Sequence, residues 1–162
     1  MPENVTAIPD GFHTLTPHIT VRDAKNAIEF YKKALNAQLL NASHTPDGRV
    51  MHASLKIGDS ILMLNDEFPE WGGSLAPRGE STGFAIQVYV DNVDKLFAQA
   101  VNAGAVVKMP LMDQFWGDRY GHVLDPYGFR WALGQHVRDV TPEEMERAQA
   151  DMAKQMQQKK TA

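Results

Sequence analysis

Residues 49–52 read Arg-Val-Met-His, and residues 119–122 read Arg-Tyr-Gly-His. Each stretch is followed at the same distance by a glycine, Gly58 in the first case and Gly128 in the second, and each glycine precedes a short apolar run. A valine directly ahead of a helical pattern also occurs in both halves of the chain, and the two valines are separated by nearly the same number of residues as the two arginines. Two copies of one unit predict a pseudo-symmetric sheet with its site between the two halves.

The flanking sequence predicts the same five elements in each half of the chain. Short alternating or apolar runs predict strands, and apolar residues three and four apart predict one helix per half. Asp23 is the predicted N-cap of the first helix, and Gly104 is the predicted C-cap of the second. The predicted strands cover residues 15–21, 38–44, 50–57 and 60–65 in the first half, and 83–90, 106–111, 118–124 and 129–135 in the second.

These elements predict an α+β fold in which two tandem β-α-β-β-β modules form a cup-shaped mixed β-sheet with the helices outside. The first module covers residues 14–66, and the second covers residues 82–137. A flexible leader at 1–13 precedes them, and a linker at 67–81, rich in Pro and Gly, joins them. A C-terminal amphipathic helix at 138–162 follows the second module.

The C-terminal helix has a defined start signal. Thr141 is the predicted cap, Pro142 takes the first helical position, and Glu144 completes a capping box. We expect the apolar stripe of this helix to pack on its own domain or on a dimer mate. The stripe consists of Met145, Ala148, Met152 and Met156.

Composition and charge exclude several classes of protein. The 162 residues are 43% apolar and carry a formal net charge of −4, without the basic patch of a nucleic-acid-binding protein. Cysteine is absent, which excludes disulfides, thiol catalysis and thiolate metal sites. No apolar run approaches the ~20 residues of a membrane span, and residues 1–12 lack the features of a signal peptide. We therefore expect a cytoplasmic protein that binds neither nucleic acid nor membranes.

Strand alternation divides the side chains between a side that faces the helices and an opposite side. In the third strand every second residue from Met51 to Ile57 is apolar and should face the helices, which sends His52 and Ser54 to the other side. Because the two halves repeat, His122 should lie on the same side of the sheet as His52. A half-polar face in a domain of this size is typical of a ligand cavity. The predicted pocket residues are Thr16, His18, Thr20, His52, Ser54, Gln87, Tyr89, Trp116, Tyr120 and His122.

Tryptophan and arginine residues allow further predictions. Trp116 lies in a glycine-flanked loop, where it is either a lid over the pocket or an anchor that pins the loop to the sheet. Trp131 should face a helix and belong to the core, whereas Trp71 is available for stacking. By strand alternation, the side chains of Arg49 and Arg119 point to the side of the sheet opposite the histidines. We therefore expect them to pair with Asp residues at the sheet edge.

Four stretches resemble a known family. Residues 16–23 read Thr-Pro-His-Ile-Thr-Val-Arg-Asp, 27–31 read Ala-Ile-Glu-Phe-Tyr, 58–60 read Gly-Asp-Ser, and 115–121 read Phe-Trp-Gly-Asp-Arg-Tyr-Gly. With the paired modules, they resemble the PhnB-like branch of the vicinal oxygen chelate superfamily, which includes glyoxalase I, bleomycin-resistance proteins, fosfomycin-resistance enzymes and extradiol dioxygenases. The resemblance covers residues 15–136 and implies a homodimer, often with cups built across the subunits.

The resemblance also implies four metal-ligand positions, one on each of four strands, which the metal enzymes of the superfamily fill with His and Glu. Methyl groups donate no ligand atom, and a lone threonine hydroxyl is a weak ligand for a divalent cation. We therefore expect no cofactor and a metal-free pocket. The four positions fall on Thr16, Ala85, Ala132, and Leu62 or Met63, depending on one residue of register.

Two classes of function follow. In the first, the chain binds a small organic molecule, planar or amphipathic, in the metal-free concave pocket and sequesters it, as bleomycin-resistance proteins do. In the alternative, it is a glyoxalase-type lyase or isomerase whose divalent metal is displaced to His18, His52 and His122, or a metal-free catalyst with a histidine as general base. A third hypothesis gives the C-terminal helix an interaction role.

Overall fold

The computed structural model describes residues 5–81 and 83–160; residues 1–4 of the predicted leader lie outside the described residues. Each half of the chain forms a four-stranded mixed sheet and one helix. The first half contains β1 (His18–Val21), α1 (Ala24–Leu35), β2 (Gln38–His44), β3 (Val50–Ile57) and β4 (Ser60–Asp66). The second half contains β5 (Ala85–Tyr89), α2 (Val93–Ala103), β6 (Val106–Asp113), β7 (Asp118–Leu124) and β8 (Arg130–His136).

The two sheets have the same topology. The strand order is β1-β4-β3-β2 in the first sheet and β5-β8-β7-β6 in the second. In each sheet the first strand is parallel to the last strand of its module, and the other neighbours are antiparallel. The predicted α+β class with tandem β-α-β-β-β modules is therefore confirmed, and each module forms a sheet of its own.

The first strand is shorter than the sequence predicts. It begins at His18, because Pro17 has no N–H to donate to a strand ladder and contributes only its carbonyl, which accepts from the Met63 N–H at 2.9 Å. Thr16 therefore lies ahead of the strand, where its hydroxyl donates to the His13 carbonyl at 2.9 Å. The prediction that Thr16 lies on the sheet face was wrong for this reason.

The third strand departs from simple alternation at its start. Ser43 pairs with His52, whereas His44 pairs with Val50, so Met51 is an extra residue in the ladder. This β-bulge changes which side chain points inward: Val50 is fully buried, and Met51 is 47% exposed. The prediction that Met51 faces the helices was therefore wrong.

Both helices of the modules form as their caps predict. The Asp23 carboxylate accepts from the Asn26 N–H at 3.2 Å at the start of α1, and Gly104 ends α2 in the left-handed region, with φ 117°. The two helices contact each other, since the Gln99 side-chain amide donates to the Lys33 carbonyl at 2.7 Å and to the Asn36 side chain at 2.8 Å. One hydrophobic core therefore joins the two modules.

A buried carboxylate holds the modules together in that core. Asp125 Oδ2 accepts from the Tyr31 hydroxyl at 2.7 Å and from Trp131 Nε1 at 2.8 Å, and its Oδ1 accepts the Tyr127 and Phe129 N–H groups, both at 2.9 Å. Burial raises the pKa of Asp125 despite these hydrogen bonds. Trp131 is 1% exposed, so its predicted place in the core is confirmed.

The third helix, α3 (Pro142–Lys160), begins with the predicted capping box. The Thr141 hydroxyl accepts from the Glu144 N–H at 3.2 Å, and the Glu144 carboxylate accepts from the Thr141 N–H at 3.0 Å. In the described part of the chain, α3 forms no packed interface with another helix or strand. None of the described helices is long and apolar enough to span a membrane.

Candidate functional site

The side of the first sheet that faces away from α1 carries a polar cluster. The His18 and His52 rings lie edge to face with their centroids 5.9 Å apart. His52 Nε2 lies 3.1 Å from the hydroxyl of Ser54, which is only 2% exposed. Thr20 lies half-buried on the same strand as His18. Four of the predicted pocket residues therefore share this face.

Asn65 belongs to the same cluster, although it was not among the predicted pocket residues. Its amide nitrogen donates to the Asp66 carbonyl at 2.6 Å, which leaves Oδ1 to accept from His18 Nε2 at 2.8 Å. Alternation along β4 could have revealed it, because Leu62 and Leu64 lie in the hydrophobic core and Asn65 must then face the other side.

The register of β4 also decides between the two candidate metal positions there. Met63 pairs with His18 on one side and with Ser54 on the other, so it lies on the polar face. Leu62 is 3% exposed and packs in the core. The family's ligand position on this strand therefore carries a thioether.

The corresponding face of the second sheet is aromatic. Tyr89 and Tyr120 pair with Gly134 from opposite sides, and a Cβ at Gly134 would lie 3.2 Å from the Tyr89 ring and 3.4 Å from the Tyr120 ring. Glycine at this position therefore leaves room for both rings over the strand. The Trp116 ring stands edge-on to Tyr120, with centroids 5.6 Å apart.

A polar pair adjoins these rings. His122 Nε2 lies 2.8 Å from the Tyr120 hydroxyl. Burial, with a smaller effect of Arg130, lowers the pKa of His122, so the imidazole is neutral near neutral pH. Burial and the charge of Asp118 raise the pKa of Tyr120. Gln87 lies next in the row, since it pairs with Ala132, which in turn pairs with His122.

Asp118, the first residue of β7, fixes the aromatic face. It is 4% exposed, and its Oδ2 accepts from the Tyr89 hydroxyl at 2.8 Å and from Trp116 Nε1 at 3.1 Å. Its Oδ1 lies 2.8 Å from His136 Nδ1. Burial acts to raise the pKa of Asp118, but the hydrogen bonds from His136, Tyr89 and Trp116 outweigh it, so the pKa is lowered.

Two consequences follow for the sequence predictions. The hydrogen bond to Asp118 favours the anchor role for Trp116 over the role of a free lid. The sequence predicts Asp118 as the first residue of a strand but does not connect it with His136, because only strand pairing brings these two residues opposite each other. A depression of about 360 Å³ lies beside them, lined by Tyr89, Val90, Asp91, Gln135 and His136. Another, of about 490 Å³, lies between the outer surfaces of α1 and α2, away from both faces.

The predicted pocket is therefore divided between two sheets within one chain. Thr20, His18, His52 and Ser54 lie on the first sheet, and Gln87, Tyr89, Trp116, Tyr120 and His122 lie on or beside the second. Both faces are open, since His18 and Gln87 are exposed and Tyr89 is 58% exposed. The role of these residues in ligand binding stays a prediction.

The residues present do not fit the family's metal site. Its four positions carry Thr16, Met63, Ala85 and Ala132, which supply no imidazole or carboxylate. For the alternative set, His18 and His52 are neighbours, but His122 belongs to the other sheet. Among the described residues, no three His, Asp or Glu side chains are placed to hold a metal ion.

The two repeated arginines form ion pairs, as the salt-bridge interpretation predicts, but both belong to or precede an inner strand and not an edge strand. Arg49 pairs with Asp47 at 3.1 Å and with Glu70 at 2.7 Å. Arg119 pairs with Asp94 at 2.7 Å and with Asp113 at 3.0 Å. Arg49 therefore ties the turn before β3 to the linker, and Arg119 ties β7 to α2 and to β6.

Trp71 has a different environment from the other two tryptophans. Its ring stacks on Phe68 with centroids 4.6 Å apart, yet it remains 62% exposed. It belongs to the linker and not to either sheet face.

The chain is similar to several known proteins. The family model of the glyoxalase/bleomycin resistance protein/dioxygenase superfamily matches residues 11–133. An uncharacterized protein of Mycobacterium bovis is 46% identical over 137 residues, which cover 83% of this chain and 90% of that protein.

Two solved structures have the same fold. TioX from Micromonospora sp. ML1 is 26% identical, with a TM-score of 0.60 over 76% of this chain and 98% of that one. The PhnB protein of Bacillus cereus, at 18% identity, has a TM-score of 0.61 over 76% and 99% of the two chains. The chain therefore belongs to the glyoxalase/bleomycin resistance protein/dioxygenase superfamily.

Proposed function

We propose that this protein binds a small planar organic molecule, without a metal ion, between the polar face of the first sheet and the aromatic face of the second, and that it sequesters this molecule without converting it. The observation that carries the proposal is the aromatic face: a buried carboxylate, Asp118, orients Tyr89 and Trp116 through hydrogen bonds, and Gly134 leaves room for the Tyr rings. Ordered rings at an open surface are suited to a ligand with a flat face.

The chemistry of the two faces narrows the class of ligand. The aromatic face supplies stacking surfaces, and the polar face supplies hydrogen-bonding groups: the imidazoles of His18 and His52 and the amide of Asn65. Basic side chains flank both faces: Lys56 follows Ser54 on the same side of β3 and is exposed, and Arg130 of β8 is paired with Glu80. The proposed ligand is therefore an aromatic molecule with peripheral hydroxyl, carbonyl or amide groups.

The proposal includes a homodimer that closes the site. In one chain each face is open on its own sheet, and exposure of Tyr89 and His18 leaves surface for a second subunit. The first sheet of one copy against the second sheet of the other would place polar and aromatic residues on opposite walls of one cavity. Bleomycin resistance proteins, named in the family's description, are the analogy for sequestration.

A metal-free reaction is the second candidate, and the Tyr120–His122 pair favours it. A neutral imidazole 2.8 Å from a hydroxyl is the arrangement of a general base beside a proton donor. Mass spectrometry of the ligand after long incubation separates the candidates: unchanged ligand supports sequestration, whereas a product whose formation is lost in His122→Gln supports catalysis.

Tryptophan fluorescence tests the proposed site directly. A panel of aromatic antibiotics is titrated into wild-type protein, Trp116→Phe and, as the matched control, Trp71→Phe. We expect saturable quenching in the wild type that survives in Trp71→Phe, because Trp71 lies outside both faces, and that falls sharply in Trp116→Phe. Equal loss of quenching in both variants, or no saturable quenching by any compound, would overturn the proposal.

A further inference from the structure

The described part of the chain leaves the apolar side chains in the C-terminal half of the last helix exposed. α3 runs from Pro142 to Lys160 and begins with a complete capping box, yet in the described part of the chain it forms no packed interface with a helix or strand. A helix in water gains most of its stability from packing an amphipathic face. A partner for Met152 and Met156 must therefore come from outside the described part of the chain.

The apolar stripe, half-buried at Met145 and Ala148 and exposed beyond them, defines what that partner must match. Met145, Ala148, Met152 and Met156 are three and four residues apart, so they share one face of the helix. Met152 is 38% exposed and Met156 is 60% exposed. The stripe is only one residue wide, which suits the narrow seam between two helices better than a broad groove.

Charge along α3 points to a second copy of the same helix. By sequence, residues 142–151 carry four carboxylates and one arginine, whereas residues 152–160 carry three lysines and no carboxylate. Two such helices side by side in antiparallel orientation place each acidic half against a basic half. A parallel pair would place like charges together, which is destabilising.

The apolar stripe is self-complementary in the same orientation. If Met145 lies opposite Met156 of the partner subunit, Ala148 lies within one residue of the position opposite Met152 of the partner subunit. A small residue then faces a large one, as close packing of helices requires. The stripe and the charges thus select one arrangement.

We propose that α3 pairs antiparallel with α3 of a second copy of this chain, with Met145 opposite Met156 of the partner subunit. The interface lies beyond the residues that match the family model, which end at 133, and it does not depend on the proposed ligand. It gives this chain a contact between subunits in addition to any contact between the sheet faces.

The absence of cysteine makes the register measurable. Met145→Cys and Met156→Cys variants of the full chain, one of them carrying a size tag, are oxidised separately and as a mixture, and the products are separated without reductant. Residues 145 and 156 lie about 16 Å apart along one helix, whereas a disulfide needs Cα atoms within about 7 Å. The exposed Ala150→Cys variant, on the opposite side of the helix, measures chance collisions.

The proposal expects the mixed Met145→Cys and Met156→Cys sample to form a tagged–untagged disulfide dimer roughly tenfold faster than Ala150→Cys, while each variant alone reacts no faster than Ala150→Cys. Molar salt should slow the mixed reaction, because it screens the opposed charges. Faster linkage of each variant alone than of the mixture would indicate parallel helices. Rates equal to that of Ala150→Cys in all samples would show that α3 does not pair. Either result would overturn the proposal.

Discussion

At the scale of single residues, Asp118 determines whether the second sheet presents ordered rings. Tyr89, Trp116 and His136 come from three different segments, and all three direct a hydrogen-bonding atom at this one carboxylate. A carboxylate accepts at both oxygens, whereas an amide accepts at only one. The geometry of the aromatic face thus depends on a residue that would not itself stack on a ligand.

Asp118→Asn should therefore loosen the aromatic face. The amide nitrogen cannot accept from the donors it would face, and an unsatisfied buried group costs about 1–3 kcal/mol. We expect the free energy of unfolding in urea to fall by about that amount, the near-ultraviolet circular dichroism of the tryptophans to weaken, and ligand quenching to require higher concentrations. Asp59→Asn, an exposed turn residue, is the matched control; identical behaviour of both variants would contradict the role given to Asp118.

His136 links stability to pH. Its Nδ1 lies 2.8 Å from Asp118 and its Nε2 lies 3.0 Å from Asp139, and only the protonated ring can donate to both carboxylates. Hydrogen bonds with Asp139 and Asp118 raise the pKa of His136. Tyr89 and Asp91 are the other ionisable residues that line the adjoining depression.

A raised pKa in the folded protein means that the stabilisation is fully present below the ordinary histidine value of about 6.5 and is lost as pH rises through the raised value. We expect the difference in unfolding free energy between wild type and His136→Gln to shrink as pH rises across this window. Urea unfolding at a series of pH values measures it. A difference that grows with pH would have the wrong sign for this assignment.

At the scale of helices and strands, the sequence predicts element type well and strand faces less well. Alternation placed His52 and Ser54 correctly, but it failed at Met51, because a bulge adds a residue that no local pattern shows. Pro17 shortened β1 and removed Thr16 from the sheet. The choice between Leu62 and Met63 needed strand pairing, as did the meeting of Asp118 with His136. These features depend on contacts between distant segments.

The hydrogen bond between α1 and the β7–β8 turn can be tested by mutation. The Tyr31 hydroxyl donates to Asp125 at 2.7 Å in the core, and burial raises the pKa of Tyr31 further above its usual value, with Asp125 adding to the effect. Tyr31→Phe should lower the free energy of unfolding by about 1–3 kcal/mol, measured in urea. Tyr127→Phe is the control, because Tyr127 meets Asp125 through its backbone N–H; an equal loss in the control would contradict the assignment.

At the scale of the whole molecule, duplication produced two similar sheets with different surfaces. The first carries histidines with Ser54 and Asn65, and the second carries rings around Asp118. The repeat was sufficient to predict the modules and the shared side of His52 and His122. The proposed site takes one face from each of two subunits, and so it depends on assembly as well as on the fold. Sequence alone therefore predicted the fold far more completely than the site.

Metal-free binding of a planar ligand can be tested in one experiment. Protein purified without a histidine tag is analysed for zinc, iron, manganese and nickel, and the affinity for a quenching compound is measured before and after exhaustive chelation. We predict far less than one metal per chain and an unchanged affinity, because the family's ligand positions carry Thr16, Met63, Ala85 and Ala132. Stoichiometric metal that is lost in His52→Ala or His122→Ala, together with binding that chelation abolishes and added metal restores, would contradict it.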